Sequence, residues 1–238
     1  MTTVHDLRIK IFADGADLAN MVALAGLPHI KGLTTNPTLM RQAGIADYKA
    51  FAAEVLAAIP DKPVSFEVFA DEPVEMLRQA RLIASWGENV FVKMPVTTTD
   101  GASTEALVTE LSAEGVKLNV TALMTPDQVS SVAAAVEPGI SAIISVFAGR
   151  VADTGRDPVP LMTTCVDLLA DRDEIELIWA SPRELLNIFQ ADAIGCDIIT
   201  VTPDLLKKLD LVGKDLDEFS LETVQMFHRD ATMAGFRL

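Results

Sequence analysis

Apolar positions along the chain fall into two alternating textures. Short runs rich in Val, Ile, Phe and Leu recur at RIKIFAD (8–14), GLTTNP (32–37), VSFEVFA (64–70), NVFVKMP (89–95), KLNVTAL (117–123), SAIISVFAG (141–149), IELIWAS (175–181) and DIITVTP (197–203). Their length and β-branched content predict eight strands. Between them stand stretches with helical spacing, such as DYKAFAAEVLAAI, EPVEMLRQARLIASWG, TEALVTELSAEG, TPDQVSSVAAAV, DPVPLMTTCVDLLA and PRELLNIFQADAIG, several opened by Asp, Thr or Pro and closed by Gly. Every strand but the last is thus followed by a helix. Spread over 238 residues, eight units have roughly 30 residues each, close to the minimum for a strand and helix with short loops. The expectation is an α/β fold: a single-domain (β/α)8 barrel of parallel strands over 1–238, with no room for a second domain. An extra C-terminal helix is expected over about 220–235, capped by Ser220 and carrying Leu221, Val224, Met226 and Phe227 at helical spacing. An open doubly wound sheet is the competing arrangement, but no GxGxxG or P-loop string follows any strand.

Composition narrows the function classes. Half the residues are hydrophobic and 22% are charged, which fits a globular chain and excludes disordered or low-complexity classes. A formal net charge of -15 repels phosphate backbones and anionic lipid headgroups, so neither nucleic acid nor a membrane surface is an expected partner. No run is long enough to span a bilayer, and the start of the chain lacks a basic region followed by an apolar stretch. Cys165 and Cys196 sit in apolar contexts and indicate no disulfide framework, which fits a reducing cytoplasm. His5, His29 and His228 are scattered without ligand spacing, so no protein-built metal site is expected.

In an eight-stranded α/β barrel, chemistry collects at the carboxyl ends of the strands. Those ends read Asp14, Asn36, Glu67, Lys93, Asn119 with Thr121, Ser145 with Arg150, Ser181 with Arg183, and Thr202. Lys93 closes an apolar run. Desolvated in a barrel mouth, its amine would be a nucleophile for carbonyls; the alternative is a lysine paired with an interior carboxylate or reaching to the surface. Asp14 and Glu67 end the first and third strands and can face the same mouth, either as acid/base groups or as a structural ion-pair network, with Asp14 alternatively a helix cap. Asn36, Asn119 and Thr121 offer neutral donors and acceptors suited to a hydroxyl-rich ligand, although Asn36 before Pro37 is also a good turn residue. Arg150, Ser181 and Arg183 follow the sixth and seventh strands, where a hydroxyl, guanidinium forks and a helix N-terminus can hold an anion; a surface salt bridge is the alternative for either Arg.

Taken in order, these strings resemble the transaldolase family, including its short members and the related fructose-6-phosphate aldolases. FAD at Asp14, LTTNPT at Asn36, SFEV at Glu67, FVKMP at Lys93, NVTAL at Asn119 and Thr121, ISVFAGRVAD through Ser145, Phe147, Arg150 and Asp153, and WASPREL at Ser181 and Arg183 carry the likeness over almost the whole chain. The resemblance implies an imine formed by Lys93 on a ketose C2 carbonyl. Glu67 and Thr121 would handle water and protons, Asp14 would take the C4 hydroxyl proton, and Asn36, Asn119 and Ser145 would hold the dihydroxyacetone fragment. It implies no metal or organic cofactor, sugar phosphate or sulfonate substrates, and a homo-oligomer such as a pentamer or decamer. Two positions depart from the family pattern, Gly15 where members carry Thr and Pro182 where they carry an aromatic residue, and the latter leaves phosphate or sulfonate open at the anion site. Two others separate the branches: Glu67 stands where the aldolase branch carries Gln and Phe147 where it carries Tyr, which implies transfer in preference to release of free dihydroxyacetone.

Overall fold

The eight apolar runs form parallel strands that close into a barrel in chain order, in a computed structural model that describes residues 4–237. Met1–Thr3 and Leu238, counted in the barrel unit from sequence, lie outside the described residues. The elements are β1 (Lys10–Asp14), α1 (Leu18–Ala25), β2 (Ile30–Thr34), α2 (Pro37–Gln42), α3 (Tyr48–Ala58), β3 (Val64–Glu67), α4 (Pro73–Ala84), β4 (Val90–Pro95), α5 (Glu105–Ala113), β5 (Leu118–Leu123), α6 (Pro126–Ala135), β6 (Ala142–Val146), α7 (Ala148–Asp153), α8 (Pro158–Leu168), β7 (Ile175–Trp179), α9 (Leu186–Ala193), β8 (Ile198–Val201), α10 (Pro203–Leu206) and α11 (Leu216–Met233). Helix starts are set by local chemistry. Asp17, Asn36, Asp47, Thr125 and Asp157 each accept an amide hydrogen bond as N-caps, and proline opens α2, α4, α6, α8 and α10, where its missing N–H is no loss. No helix among the described residues is long and apolar enough to cross a membrane.

Alternation along the strands divides the barrel into an outer and an inner face. Leu33, Phe66, Val92, Met94, Ile144, Leu177, Trp179 and Ile199 belong to the apolar core shared with the helices. The inner face is layered. Lys10 pairs with Glu176 across the amino-terminal rim. Phe12, Phe91, Ile143, Ile178 and Ile198 form an apolar plug above them, with Ala180 and the half-buried Phe147 packed on it. Above the plug the interior turns polar, as hydrogen bonds between non-adjacent strands show: Thr34 of β2 meets Thr200 of β8, and Asn119 of β5 meets Ser65 of β3. Two register shifts aim side chains on this face, one between β1 and β2 around Lys31, the other in β5 between Val120 and Leu123. At the second, Ala122 adopts a positive φ of 68°, a conformation that costs a non-glycine residue about 1–2 kcal/mol.

Four sequence expectations are corrected. The C-terminal helix begins at Leu216, because Asp215 caps the amides of Asp217 and Glu218; Ser220 lies inside it. The last strand is followed by a helix after all, the single turn α10. β2 runs Ile30–Thr34, since Asn36 leaves the sheet to cap α2. The helix after β7 starts at Leu186, beyond Ser181 and Arg183, because Ser181 turns with φ 61° and Asn187 Oδ1 takes the amides of Arg183 and Glu184.

Gly32 leaves room for the plug: a Cβ there would lie 2.5–2.7 Å from ring carbons of Phe12. That ring is enclosed, so it cannot swing away without disturbing its neighbours. Gly32→Ala is therefore expected to cost about 1–3 kcal/mol through overpacking, lowering the melting temperature by roughly 2–12 °C in a chain of this size. Adding Phe12→Leu should recover much of that loss. Equal melting of the single and double variants, read by circular dichroism, would show that the contact does not limit packing.

Candidate active site

The polar layer is assembled from the carboxyl ends of seven strands. Lys93 is the fourth residue of β4, and although only 7% exposed it is charge-compensated: its Nζ lies 3.1 Å from Glu67 Oε2 and donates to the Thr35 carbonyl at 2.9 Å. Glu67 reaches it because β3 and β4 pair Glu67 directly with Lys93. The pairing partner of Lys93 on its other side is Asn119 of β5.

Asp14, at the end of β1, receives hydrogen bonds from Thr34 Oγ1 at 2.8 Å and Asn36 Nδ2 at 3.1 Å. Thr34 spends its one proton on Asp14, so Thr200 is the donor in the 2.5 Å contact between the two hydroxyls. Burial raises the Asp14 carboxyl above its ordinary value; Lys93, Thr34 and Asn36 oppose that rise and the Glu67 charge adds to it. A carboxyl so placed can hold or release a proton nearer neutrality than an exposed aspartate. Asn36 has two tasks, since its Oδ1 caps Leu39 N while its Nδ2 serves Asp14.

On the far wall Ser145 Oγ donates to Asn119 Oδ1 at 2.7 Å and Asn119 Nδ2 donates to Ser65 Oγ at 3.0 Å. The chain fixes the amide's orientation. Thr121 Oγ1 is buried with no hydrogen-bond partner among the described residues, which suits a group whose partner is water or ligand. A cavity of about 330 Å³, lined in part by Asp14, Gly15, Met21, Leu39 and Thr202, opens beside Asp14. A larger hollow of about 520 Å³ lies at the opposite rim against Lys10, Glu176 and Asp197, away from these groups.

The arginines stand differently from one another. Arg150, on α7, holds its guanidinium 5.5 Å from the centre of the Phe147 ring. Arg183 is in a salt bridge, with Nε donating to Asp153 Oδ1 at 2.8 Å and Nη2 paired with Oδ2. The Arg183 hydrogen bonds hold the Asp153 carboxyl below the usual carboxylate range, and the Arg150 charge acts in the same direction. Ser181 approaches α7 backbone to backbone, since a Cβ on Gly149 would fall 1.5 Å from the Ser181 carbonyl oxygen. The amides of Arg183 and Glu184, taken by Asn187, do not serve an anion here.

The structure therefore gathers Lys93, Glu67, Asp14, Asn36, Asn119, Thr121 and Ser145 in one mouth, and sets Phe147, Arg150, Ser181 and Arg183 along its β6–β7 side. Sequence reasoning missed Thr34, Ser65 and Thr200, which link those groups. Period-two alternation points to Ser65 and Thr200, each two residues before a strand end already singled out. Thr202 instead accepts the amides of Leu205 and Leu206 through its carbonyl. Among the described residues no three His, Cys, Asp or Glu side chains converge as a metal site would require.

A family model described as Transaldolase/Fructose-6-phosphate aldolase matches residues 11–237. A protein of Dehalococcoides mccartyi named "Probable transaldolase" is 36% identical over 202 residues, 84% of this chain and 90% of that protein. One of Thermoanaerobacter sp. with the same name is 31% identical over 231 residues, 97% of this chain and all of that protein. Among solved structures, dihydrodipicolinate synthase from Rhodopseudomonas palustris superposes with a TM-score of 0.56 at 16% identity, covering 93% of this chain and 80% of that one, a likeness of fold. With the family pattern running from β1 to the C-terminal segment and relatives above 30% identity along most of their length, the chain belongs to the transaldolase/fructose-6-phosphate aldolase family.

Proposed function

We propose that the protein is a transaldolase that moves a three-carbon dihydroxyacetone unit from a ketose phosphate donor to an aldose acceptor through an imine on Lys93. The observation that carries this reading is the buried Lys93 amine, 3.1 Å from the Glu67 carboxylate, in a mouth that also holds a raised Asp14 carboxyl. Lys93 attacks the C2 carbonyl, and loss of water from the adduct gives the imine, with Glu67 and Thr121 moving the protons. Asp14 accepts the C4 hydroxyl proton as the C3–C4 bond breaks, leaving an enamine on Lys93 and a free aldehyde. The acceptor aldehyde then enters, the enamine carbon attacks it, and Asp14 returns the proton to the new hydroxyl; water adds to the resulting imine, with Glu67 and Thr121 again moving the protons, and releases the product ketose and the free Lys93 amine. Asn36, Asn119 and Ser145 bind the fragment's hydroxyls.

Glu67 and Phe147 support transfer over release of the ketone. An ionised Glu67 only accepts hydrogen bonds, and Phe147 has no hydroxyl to deliver a proton to the enamine. Arg150, Arg183 and Ser181 hold the substrate's terminal phosphate, or a sulfonate in its place, with the anion displacing Asp153 as guanidinium partner. The enzyme works in the cytoplasm, where Cys165 and Cys196 remain the buried free thiols they are here. It assembles as a homo-oligomer, because α11 has no buried residue and exposes Leu221, Val224 and Phe227 by 57–62% each, an apolar stripe that a second copy would cover.

Borohydride added with fructose 6-phosphate is expected to fix a three-carbon adduct on Lys93, mapped by mass spectrometry. Lys93→Met should lose both adduct and turnover, and melt lower because the part-buried Glu67 carboxylate is left without its partner, at a cost of up to about 3 kcal/mol. Residual transfer in that variant would overturn the assignment.

Because the Asp14 carboxyl is raised in the folded state, the native protein binds more protons than the unfolded chain between the two titrations. Stability contributed by the protonated form is therefore lost as pH rises through that interval. Asp14→Asn should melt above the parent at about pH 8, with the gap closing toward about pH 4, while transfer falls roughly 10²- to 10⁴-fold. A variant that melts lower at both pH values would mark Asp14 as a structural ion-pair member.

Arg150→Ala and Arg183→Ala should each raise KM about tenfold or more for a phosphorylated donor, as expected for loss of a charge-assisted hydrogen bond, and leave the unphosphorylated analogue nearly unchanged. Equal effects on both donors would reject the anion site.

A further inference from the structure

The ladder between β2 and β3 stops one bond short of where its register leads. Leu33 pairs with Val64 and Thr34 with Ser65; Leu33 N–H donates to the Pro63 carbonyl and Thr35 N–H to the Ser65 carbonyl. In a parallel ladder with that alternation, the next bond runs from Glu67 N–H to the Thr35 carbonyl. Neither group is used that way. Glu67 N–H donates to the Tyr48 hydroxyl at 2.7 Å, and the Thr35 carbonyl accepts Lys93 Nζ at 2.9 Å.

Tyr48, the chain's one tyrosine, opens α3 just after its Asp47 cap. Its ring is wedged by Phe69, Trp86 and Phe66, with centroids 4.6, 5.4 and 6.0 Å away. Its hydroxyl also donates to the Glu67 carbonyl at 3.2 Å, bracing both backbone polar groups of that residue. Burial raises the phenol further above its ordinary value, so it serves as a neutral hydroxyl throughout the working pH range.

We propose that Tyr48 is a positioning residue for the Lys93–Glu67 pair: its hydroxyl takes the Glu67 amide that would otherwise close on Thr35, and so keeps the Thr35 carbonyl open for the Lys93 amine. Without the hydroxyl the Glu67 N–H is left without an acceptor, and the available one is the carbonyl that Lys93 uses. The ladder then gains its missing bond, drawing the end of β3 toward β2 and loosening the amine from its anchor. Ser145 of β6 and Arg150 of α7, which hold the substrate in the proposed reaction, lie away from the β2–β3 edge.

This inference rests on Lys93 as the nucleophile, and the test separates the two. Tyr48→Phe keeps the ring in its cluster and removes only the oxygen. Its kcat for transfer should fall about 10- to 100-fold, the scale of a small misplacement of reacting groups, with KM within about twofold. Trp86→Phe, which loosens the same cluster without touching the hydroxyl, should lower the melting temperature and leave kcat within about twofold. Because Tyr48 is the single tyrosine, biosynthetic 3-fluorotyrosine labels this position alone and retains the hydroxyl, so it should restore kcat to within about threefold of the parent. Adduct formation on Lys93 in the parent, together with unchanged kcat in Tyr48→Phe, overturns the positioning role and leaves the Lys93 reading standing. Absence of any adduct in the parent overturns both. Should Tyr48→Phe fail to fold, the fluorotyrosine protein decides: its single fluorine resonance should shift on borohydride trapping, and an unmoved resonance counts against the coupling.

Discussion

A primary amine held inside a barrel mouth is the constraint around which the rest of the polar interior is arranged. Leaving the Lys93 charge unpaired there would cost several kcal/mol, more than a single hydrogen bond recovers. Glu67 supplies the opposite charge through direct strand pairing, and Thr35 supplies a carbonyl withdrawn from the sheet. Each solution creates a further demand. Withdrawing the carbonyl strands the Glu67 amide, which the Tyr48 hydroxyl satisfies, and Tyr48 is in turn fixed by aromatic neighbours from β3 and the α4–β4 region. A second carboxylate near the first raises the local negative charge, and Asp14 is tolerated because Thr34 and Asn36 donate to it and Lys93 lies within electrostatic reach.

Beneath this network the barrel is sealed. The plug around Phe12, Phe91, Ile178 and Ile198 keeps water from entering from the amino-terminal rim, so the mouth opens on one side only. That asymmetry raises the strength of every charge interaction above the plug, because the low dielectric below cannot screen it. It also explains why departures from regular strand geometry fall where they do. Gly32 makes room for the plug, and the β5 irregularity with Ala122 at positive φ falls directly after Thr121, whose buried hydroxyl has no partner among the described residues. Strain held beside a functional group is a common trade of stability for placement.

The electrostatics of the whole chain oppose its proposed substrate. A net charge of -15 repels an anionic sugar, so under the proposed function Arg150 and Arg183 would have to act locally. The structure keeps Arg183 on Asp153 and Arg150 over Phe147, two arrangements that hold the guanidiniums in place. In the proposed function an incoming phosphate would compete with an exposed carboxylate, a contest that charge-assisted bidentate contacts can win.

The alternation of eight β-rich runs with amphipathic stretches determined the barrel, because burying strands on both faces with helices around them leaves few other closures. Strand-end position likewise made Lys93, Asp14, Glu67, Asn119 and Ser145 legible as one polar set, and ordered motifs made the family legible. Tertiary structure alone decided the links between them. Tyr48 reads in sequence as an unremarkable first-turn residue; its role depends on where α3 lies against the end of β3. Thr34 and Thr200 are ordinary strand formers until closure brings β2 and β8 to opposite sides of β1. The arginine side shows the converse, since Arg183, read from sequence as an anion ligand or a surface salt bridge, is paired with Asp153, and the helix expected to begin near Ser181 begins at Leu186 because Asn187 consumes the amides before it. Periodicity encodes which face a side chain takes; which partner it meets there depends on closure and register, and a one-dimensional pattern carries neither.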